Sequence, residues 1–549
     1  MTRLNRVSII LLTCALSSAA CAETLPQSQL NPAPLNNDTK RKVKSIVIKS
    51  NDIFDLSDPE TFFIHRWANY LHINTRDAVI REQLSFEKND HVSQKDLDEL
   101  QRILRAEPYI RDASITFSQP APDADVAIED SEIILVETWD NWSLLPMISV
   151  GHSGGESKFS VGIKEDNLFG TGIKTRVKYQ SNADRTGYQF GVKAPIKLIK
   201  HATVEAYFYD NSDGQATHLH FEKPFYTLKT DNMYSAKYLD DMRVDTLKQN
   251  GVDINEFEHA VTYNTARYGW LLNHNDQQLS RIIVGLTQDK HQFENIELYP
   301  ESALPKNRDF LYPWIAYQYL QDDYQVLKNV HLINYNEDFN LGWQHYIKLG
   351  FETRDLRDGD TLGYHIDWQS RRGLKTNNQL LLLEIDGDGV FATRQKDRYK
   401  VNFAAEYFYH ISPKWTAYSK LRLASSNNNY LDQPLALGDD TGVRGYPNSY
   451  QYGDKQWSFT AESRHYPNIN LYQLAELGWA VFADVGQATG GNNSNNEESG
   501  VIGSVGVGAR IYSSKSSYGN VAHIDLSVPF TTGAEVNSWE WRFLVKKHF

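Results

Sequence analysis

From about residue 142 onward, apolar and polar side chains alternate one by one. Tyr399, Val401, Phe403, Ala405, Tyr407 and Tyr409 share one face; Arg398, Lys400, Asn402, Ala404 and Glu406 share the other, broken only by Phe408. Thr175, Val177 and Tyr179 alternate in the same way with Lys174, Arg176 and Lys178. Period two with charges on one face predicts half-buried strands. Clusters of Gly, Asn and Asp between the segments predict turns. Periodicity alone leaves two readings. In a soluble sandwich the apolar face meets a core; in a membrane barrel it meets lipid and the polar face lines a wet lumen. A run of roughly 400 residues with no helical partner is unusual for a sandwich. Sixteen strands would allow about 25 residues each, and a tilted spanning strand needs only ~9–11. The expectation is a mainly β chain with a transmembrane antiparallel β-barrel of about 16 strands over 142–549.

Residues 41–138 have a different texture. Val43 to Ile48 is β-branched and strand-like. Helical stretches are predicted over roughly 60–86 and 94–106. Ser93 with Asp96 three residues on is a variant of the capping box. Leu97, Leu100, Ile103 and Leu104 fall on one helical face, and Pro108 ends the stretch. Ala113 to Ser118 and Glu132 to Glu137 follow as strands. The order β-α-α-β-β predicts one small α+β domain, joined by a polar, Pro- and Asn-rich linker over 23–40.

Residues 1–22 read as a signal peptide. Arg3 and Arg6 form a positive n-region, Val7 to Leu16 an apolar h-region, and Ala20-Cys21-Ala22 a cleavage site. Lipid attachment at Cys21 is the alternative, although Ser18 stands where a lipobox carries Leu. Both cysteines, Cys14 and Cys21, lie in this segment, so a mature chain beginning at Glu23 would have no disulfide and no cysteine metal site. Net charge is −13 without a long basic run, which argues against nucleic acid as partner. Mean hydropathy is −0.53 and no apolar run approaches the length of a membrane helix. That points toward a soluble periplasmic protein, but 31 Tyr and 12 Trp do not. Membrane barrels carry their apolar band in alternation, where hydropathy misses it.

Gly442-Val443-Arg444-Gly445-Tyr446 sets one arginine between two glycines. Its permanently charged fork suits a carboxylate partner, and the glycines allow a tight, closely approaching backbone. Glu462 and Asp484, on strand-like segments downstream, are the candidates; an exposed turn with a surface arginine is the alternative. At the C-terminus, Trp539, Trp541, Phe543, Val545 and Phe549 share a face that Lys547 interrupts. A lysine near the membrane interface can snorkel.

These pieces resemble a known family. The run Leu104-Arg105-Ala106-Glu107-Pro108-Tyr109-Ile110-Arg111-Asp112-Ala113 resembles that of a POTRA (polypeptide-transport-associated) domain, as does Ile80-Arg81-Glu82-Gln83-Leu84 with Asn89-Asp90. Asp166, Asn167, Phe169, Gly170 and Gly172 resemble the turn between the second and third barrel strands of the BamA/TamA/FhaC superfamily of outer-membrane insertases and secretion pores. Val443 to Tyr446 resembles that family's inward loop, and Phe482-Ala483-Asp484 the strand that pairs with the loop arginine. A final aromatic strand with Trp541, Phe543, Val545 and Phe549 resembles the recognition signal of outer-membrane barrels.

The resemblance implies an outer-membrane barrel with a periplasmic N-terminal domain. It implies closure between strands at roughly 142–152 and 539–549, and sideways opening of that seam toward lipid. Arg444, Gly445 and Tyr446 would form the loop clasp with Asp484 and Glu462. The partners would be an unfolded client polypeptide, outer-membrane lipid and periplasmic accessory factors, with no cofactor, no metal and no catalytic residue. One POTRA-like unit favours a dedicated or accessory insertase or secretion pore over the central assembly machine. A passive pore or surface protein, and a family member that moves lipid, are the alternatives. Gly151-His152-Ser153-Gly154-Gly155 matches the nucleophile elbow G-x-S-x-G, but a strand-like segment follows it where an esterase needs a helix.

Overall fold

The computed structural model describes residues 39–59, 61–118, 131–297, 303–353, 362–491, 495–516 and 521–546. The expected signal peptide with Cys21, most of the expected linker over 23–40 and Phe549 lie outside the described residues.

The N-terminal unit runs β1 (Arg41–Asn51), α1 (Phe63–Leu71), α2 (Asp77–Gln83), β2 (His91–Val92), α3 (Gln94–Arg105), β3 (Ile110–Ser118) and β4 (Ser131–Asp140). The single helix expected over 60–86 is two helices. They break at His72 to Arg76, where Ile73 and Thr75 are β-branched and the Thr75 backbone N–H donates to the buried Asp140 carboxylate at 2.7 Å. The two-residue β2 was not foreseen, being too short to carry a period. The sheet order is β2-β1-β4-β3, with β1 parallel to β4. α3 is capped by Ser93, whose backbone N–H donates to Asp96 at 2.9 Å while its hydroxyl accepts from the Asp96 N–H. Leu97, Leu100 and Leu104 bury fully against Val43, Ile80, Leu84, Ile115, Ile134 and Val136.

The rest of the chain closes into a barrel of 20 strands, not sixteen. Sixteen strands would leave about 25 residues for each strand and its turn. Many turns are far shorter: Gly154 and Gly155, both at positive φ, link the first strand (Leu144–Ser153) to the second (Glu156–Glu165). Neighbours are antiparallel throughout, and the twentieth strand (Glu540–Lys546) closes on the first. The two faces separate cleanly on the eighteenth (Ile502–Ser513) and nineteenth (Val521–Pro529) strands. Val505, Val507, Ile524, Leu526 and Val528 are exposed outward, whereas Ser504, Arg510, Asp525 and Ser527 are buried inward. An exposed apolar belt of this kind has lipid as its natural solvent.

Two segments fill the lumen. Between the tenth (Arg308–Gln321) and eleventh (Gln344–Glu352) strands, an inner hairpin pairs Tyr324–Lys328 with Asn336–Asn340. Its tip packs Leu332 and Ile333 against Tyr466 of the sixteenth strand (Lys455–Leu471), Tyr512 of the eighteenth and Val521 of the nineteenth. The hairpin therefore crosses the mouth that the N-terminal unit covers. From the other end, residues 428–454 fold inward between the fifteenth (Trp415–Asn427) and sixteenth (Lys455–Leu471) strands.

Candidate functional site

The inward loop holds Arg444 at the centre of a buried charge cluster. Its Nε donates to Asp484 Oδ2 at 2.6 Å and its Nη2 to Asp484 Oδ1 at 3.0 Å, a bidentate fork. Its backbone N–H also points at Asp484, at 3.3 Å. Nη1 lies 2.9 Å from Glu462 Oε1 and 3.6 Å from Asp525 Oδ2. The guanidinium stacks over Phe482, 3.4 Å from the ring centroid. Gly442 (φ +137°) and Gly445 (φ +89°) take backbone conformations that a side chain would strain, and a Cβ at Gly445 would stand 2.8 Å from Ser527 Oγ. Tyr446 is buried, and its hydroxyl donates to the Gly503 carbonyl at 2.9 Å. The structure thus brings Arg444, Gly445, Tyr446, Glu462 and Asp484 together.

Three members of the cluster were not anticipated. Arg464 donates to Glu462 at 2.8 Å, and Arg510 donates to Asp525 at 2.5 Å. Three arginines therefore face Glu462, Asp484 and Asp525 in a charge-balanced set. The readable signal was a single charge flanked by apolar residues, Ala509-Arg510-Ile511 and Ile524-Asp525-Leu526. The loop has further anchors round the wall. Asp432 accepts two bonds from Arg308, at 2.9 and 2.6 Å, with both side chains 2% exposed. Asp439 lies 3.3 Å from Arg542 on the twentieth strand.

The turn motif lies at the opposite end of the barrel, against the N-terminal unit. Phe169 (φ +54°), Gly170 (φ +69°) and Gly172 (φ +73°) turn the chain between the second and third (Lys174–Ser181) strands. Asn167 closes the turn by accepting from the Gly172 N–H at 2.7 Å and donates to Thr75 Oγ1 at 2.8 Å. Arg76 N–H donates to the Gly170 carbonyl at 3.1 Å. A Cβ on Gly170 would meet the Asn74 carbonyl at 2.4 Å, so this glycine is set by the close approach of the two units. Asp166 is buried and lies 2.6 Å from Lys164.

α3 also grips the inner hairpin. Arg105 donates to both oxygens of Asp338, at 2.9 and 2.7 Å. Burial alone would lower the Arg105 pKa; the Asp338 carboxylate outweighs it and raises the pKa above its usual value. Arg102 sits over the Tyr324 ring at 3.3 Å, and Tyr335 donates to the Arg111 carbonyl at 2.7 Å. Reversing one charge, as Asp338→Arg, is expected to speed hydrogen exchange across 324–340. The double reversal with Arg105→Asp should recover most of the protection, which exchange mass spectrometry would read directly.

Of the C-terminal residues, Trp541 and Val545 are exposed on the outer face and Phe543 is half-buried between them, while Glu540 and Arg542 point inward and are buried. The G-x-S-x-G run occupies the end of the first strand and its turn, and the second strand follows directly.

A family model, haemolysin secretion/activation protein ShlB/FhaC/HecB, matches residues 329–511. That stretch runs from the tip of the inner hairpin into the eighteenth strand and contains Arg444, Glu462, Asp484 and Arg510. The resemblance to the BamA/TamA/FhaC superfamily holds. The chain is an outer-membrane β-barrel protein. Solved structures with distant similarity include BamA from Haemophilus ducreyi lacking POTRA domains 1–3, at 11% identity over 92% of this chain and 84% of that one, with a TM-score of 0.38. CdiB from Acinetobacter baumannii is 12% identical over 92% of this chain and 73% of its own, with a TM-score of 0.45. CdiB from Escherichia coli is 9% identical over 94% and 92%, with a TM-score of 0.40. No curated protein matches the chain in sequence.

Proposed function

We propose that the chain passes client polypeptides through, or inserts them into, the outer membrane, and that its barrel opens sideways between the first and twentieth strands. The observation that carries this reading is how little joins those strands. Among the described residues, one registered pair, Phe543 with His152, links them. The first and second strands share ten pairs and the nineteenth and twentieth share seven. Side chains supply the rest: His152 Nε2 lies 2.5 Å from Glu540, and its ring stacks on Trp541 at 4.7 Å. An edge held this weakly can trade its partner for an incoming strand, because unpaired N–H and C=O groups template pairing.

The N-terminal unit is, on this reading, a POTRA-like periplasmic domain that receives the client. A single such unit suits a dedicated or accessory role. Arg444 and its carboxylates hold the inward loop in place, and the turn around Asn167 docks the N-terminal unit. A passive pore is less well supported, because two inward segments occupy the lumen. Catalysis is not proposed: the G-x-S-x-G run ends a strand and leads into another, and lacks the helix that a nucleophile elbow needs.

The test is a reversible lock. Cysteines replacing His152 and Phe543 stand at directly opposed positions, within the reach of a disulfide. In proteoliposomes, two probes would be offered: an unfolded outer-membrane barrel polypeptide and an unfolded secreted β-rich polypeptide. Oxidation is expected to stop insertion of the first or passage of the second, and reduction to restore it. Undiminished handling of both probes through a fully closed disulfide would overturn lateral opening.

A further inference from the structure

Away from the clasp, the inward face of the barrel carries two histidines aimed at each other. His259 lies on the eighth strand (Val252–His274) and His291 on the ninth (Gln278–Asn295). His259 Nδ1 lies 2.6 Å from Asp245, and His291 Nε2 lies 3.0 Å from Asp289. An ionised carboxylate can only accept, so each of these ring nitrogens carries its proton. Arg243 Nη2 also lies 3.3 Å from His259 Nδ1, but the shorter carboxylate contact sets the proton there. The two remaining nitrogens, His259 Nε2 and His291 Nδ1, then face each other with lone pairs at 2.9 Å. Two lone pairs sit at that distance only with a proton or a metal ion between them. A third donor completes the set: an Asp432 oxygen, with all three donor atoms within 4.8 Å of one another.

We propose that His259, His291 and Asp432 bind a divalent transition-metal ion, zinc or a close congener. Two imidazoles and one carboxylate suit such an ion, and calcium or magnesium would need an oxygen-only set. The outer partners are those of a built site. Asp245 and Asp289 fix the tautomer and orientation of each imidazole, and Arg308 holds the Asp432 carboxylate by both oxygens. The charges also fit. Asp241, Asp245, Asp289 and Asp432 face Arg243 and Arg308, which leaves two negative charges for one divalent ion while the imidazoles stay neutral. The nitrogens stand slightly closer than the ~3.4 Å that two nitrogens of a tetrahedral zinc span, so loading opens the pair by a few tenths of an ångström. Asp432 belongs to the inward loop. The ion would therefore staple that loop to strands eight and nine, well round the wall from the clasp on the sixteenth and seventeenth (Ala475–Thr489) strands.

The test uses the full chain, purified in detergent and stripped with chelator, then titrated with zinc by calorimetry. One zinc per chain is expected. His259→Gln with His291→Gln should abolish that binding, and Asp245→Asn should weaken it by about 10–100-fold, as loss of an orienting carboxylate does. Hydrogen exchange around Asp432 should slow on loading. If the double variant fails to fold, seen as loss of the heat-dependent gel shift of an intact barrel, cobalt replaces it as the probe: bound to the native chain, it should show the visible bands of a low-coordinate nitrogen and oxygen site. Absence of stoichiometric zinc binding, absence of those cobalt bands, or undiminished zinc binding by a folded double variant would each overturn the site.

Discussion

Arg444→Ala is expected to leave a folded barrel in the membrane and to remove most of its transport activity. The physical reason is the local charge count. Arg444 is one of three buried arginines facing three buried carboxylates. Removing it strands the Asp484 carboxylate, which loses both fork bonds, and leaves Glu462 with Arg464 and the more distant Arg510. Breaking a buried pair from one side typically costs ~3–5 kcal/mol. Twenty closed strands can absorb a loss of that size, whereas the loop cannot, because the pair helps fix its position. Arg444→Lys should also fail: an ammonium cannot span both Asp484 oxygens or stack flat on Phe482. Asp484→Ala should resemble Arg444→Ala. The double variant should be little worse than either single, since it removes both signs together. The measurements are the heat-dependent gel shift for folding and probe passage in proteoliposomes for activity. Full additivity in the cycle, or normal transport by Arg444→Ala, would return the loop to a structural detail.

What the sequence made legible was the alternation and the residues that break it. Residues 398–409 lie on the fourteenth strand (Arg398–Ser412), and their charged face is the inward one. Phe408, the one exception noted on that face, is fully buried against Leu327, Leu380 and Tyr418. A lone aromatic on a wet face thus marked the place where the inner hairpin lands. The hairpin itself was not readable, because its strands alternate like those of the wall and nothing local says that they turn inward. The strand count failed for a related reason: total length divides among strands only when turn lengths are known. Asp432 was missed because Asn427-Asn428-Asn429-Tyr430 reads as solvent loop. Its partner Arg308 lies 124 positions away, and only the closed barrel brings them together. His259 and His291 were missed likewise, since they become neighbours only by the pairing of strands eight and nine.

Deleting residues 324–341 is expected to open the lumen. The cut is gentle on the wall, because the ends already meet: the Gln321 N–H donates to the Trp343 carbonyl at 2.7 Å, so a short Gly-Ser turn can close the gap. The tip of the hairpin is held by specific contacts. His331 lies 2.9 Å from Glu406, Asn334 donates to Glu476 at 3.0 Å, and Ile333 is completely buried. Deletion exchanges these for water against groups that are mostly polar, which a lumen tolerates. It exposes Phe408, Tyr466 and Tyr512, so some stability is lost, and the gel shift should occur at a lower temperature. The larger effect is on conduction. In planar bilayers the intact chain should conduct weakly and the deletion variant several-fold more, with long-lived open levels. Asp338→Arg, which loosens the grip of α3 without removing the hairpin, should give brief openings to the same level. Equal conductance before and after deletion would mean that the 428–454 loop alone closes the lumen. In that case the inner hairpin serves to seat the N-terminal unit and does not gate the barrel.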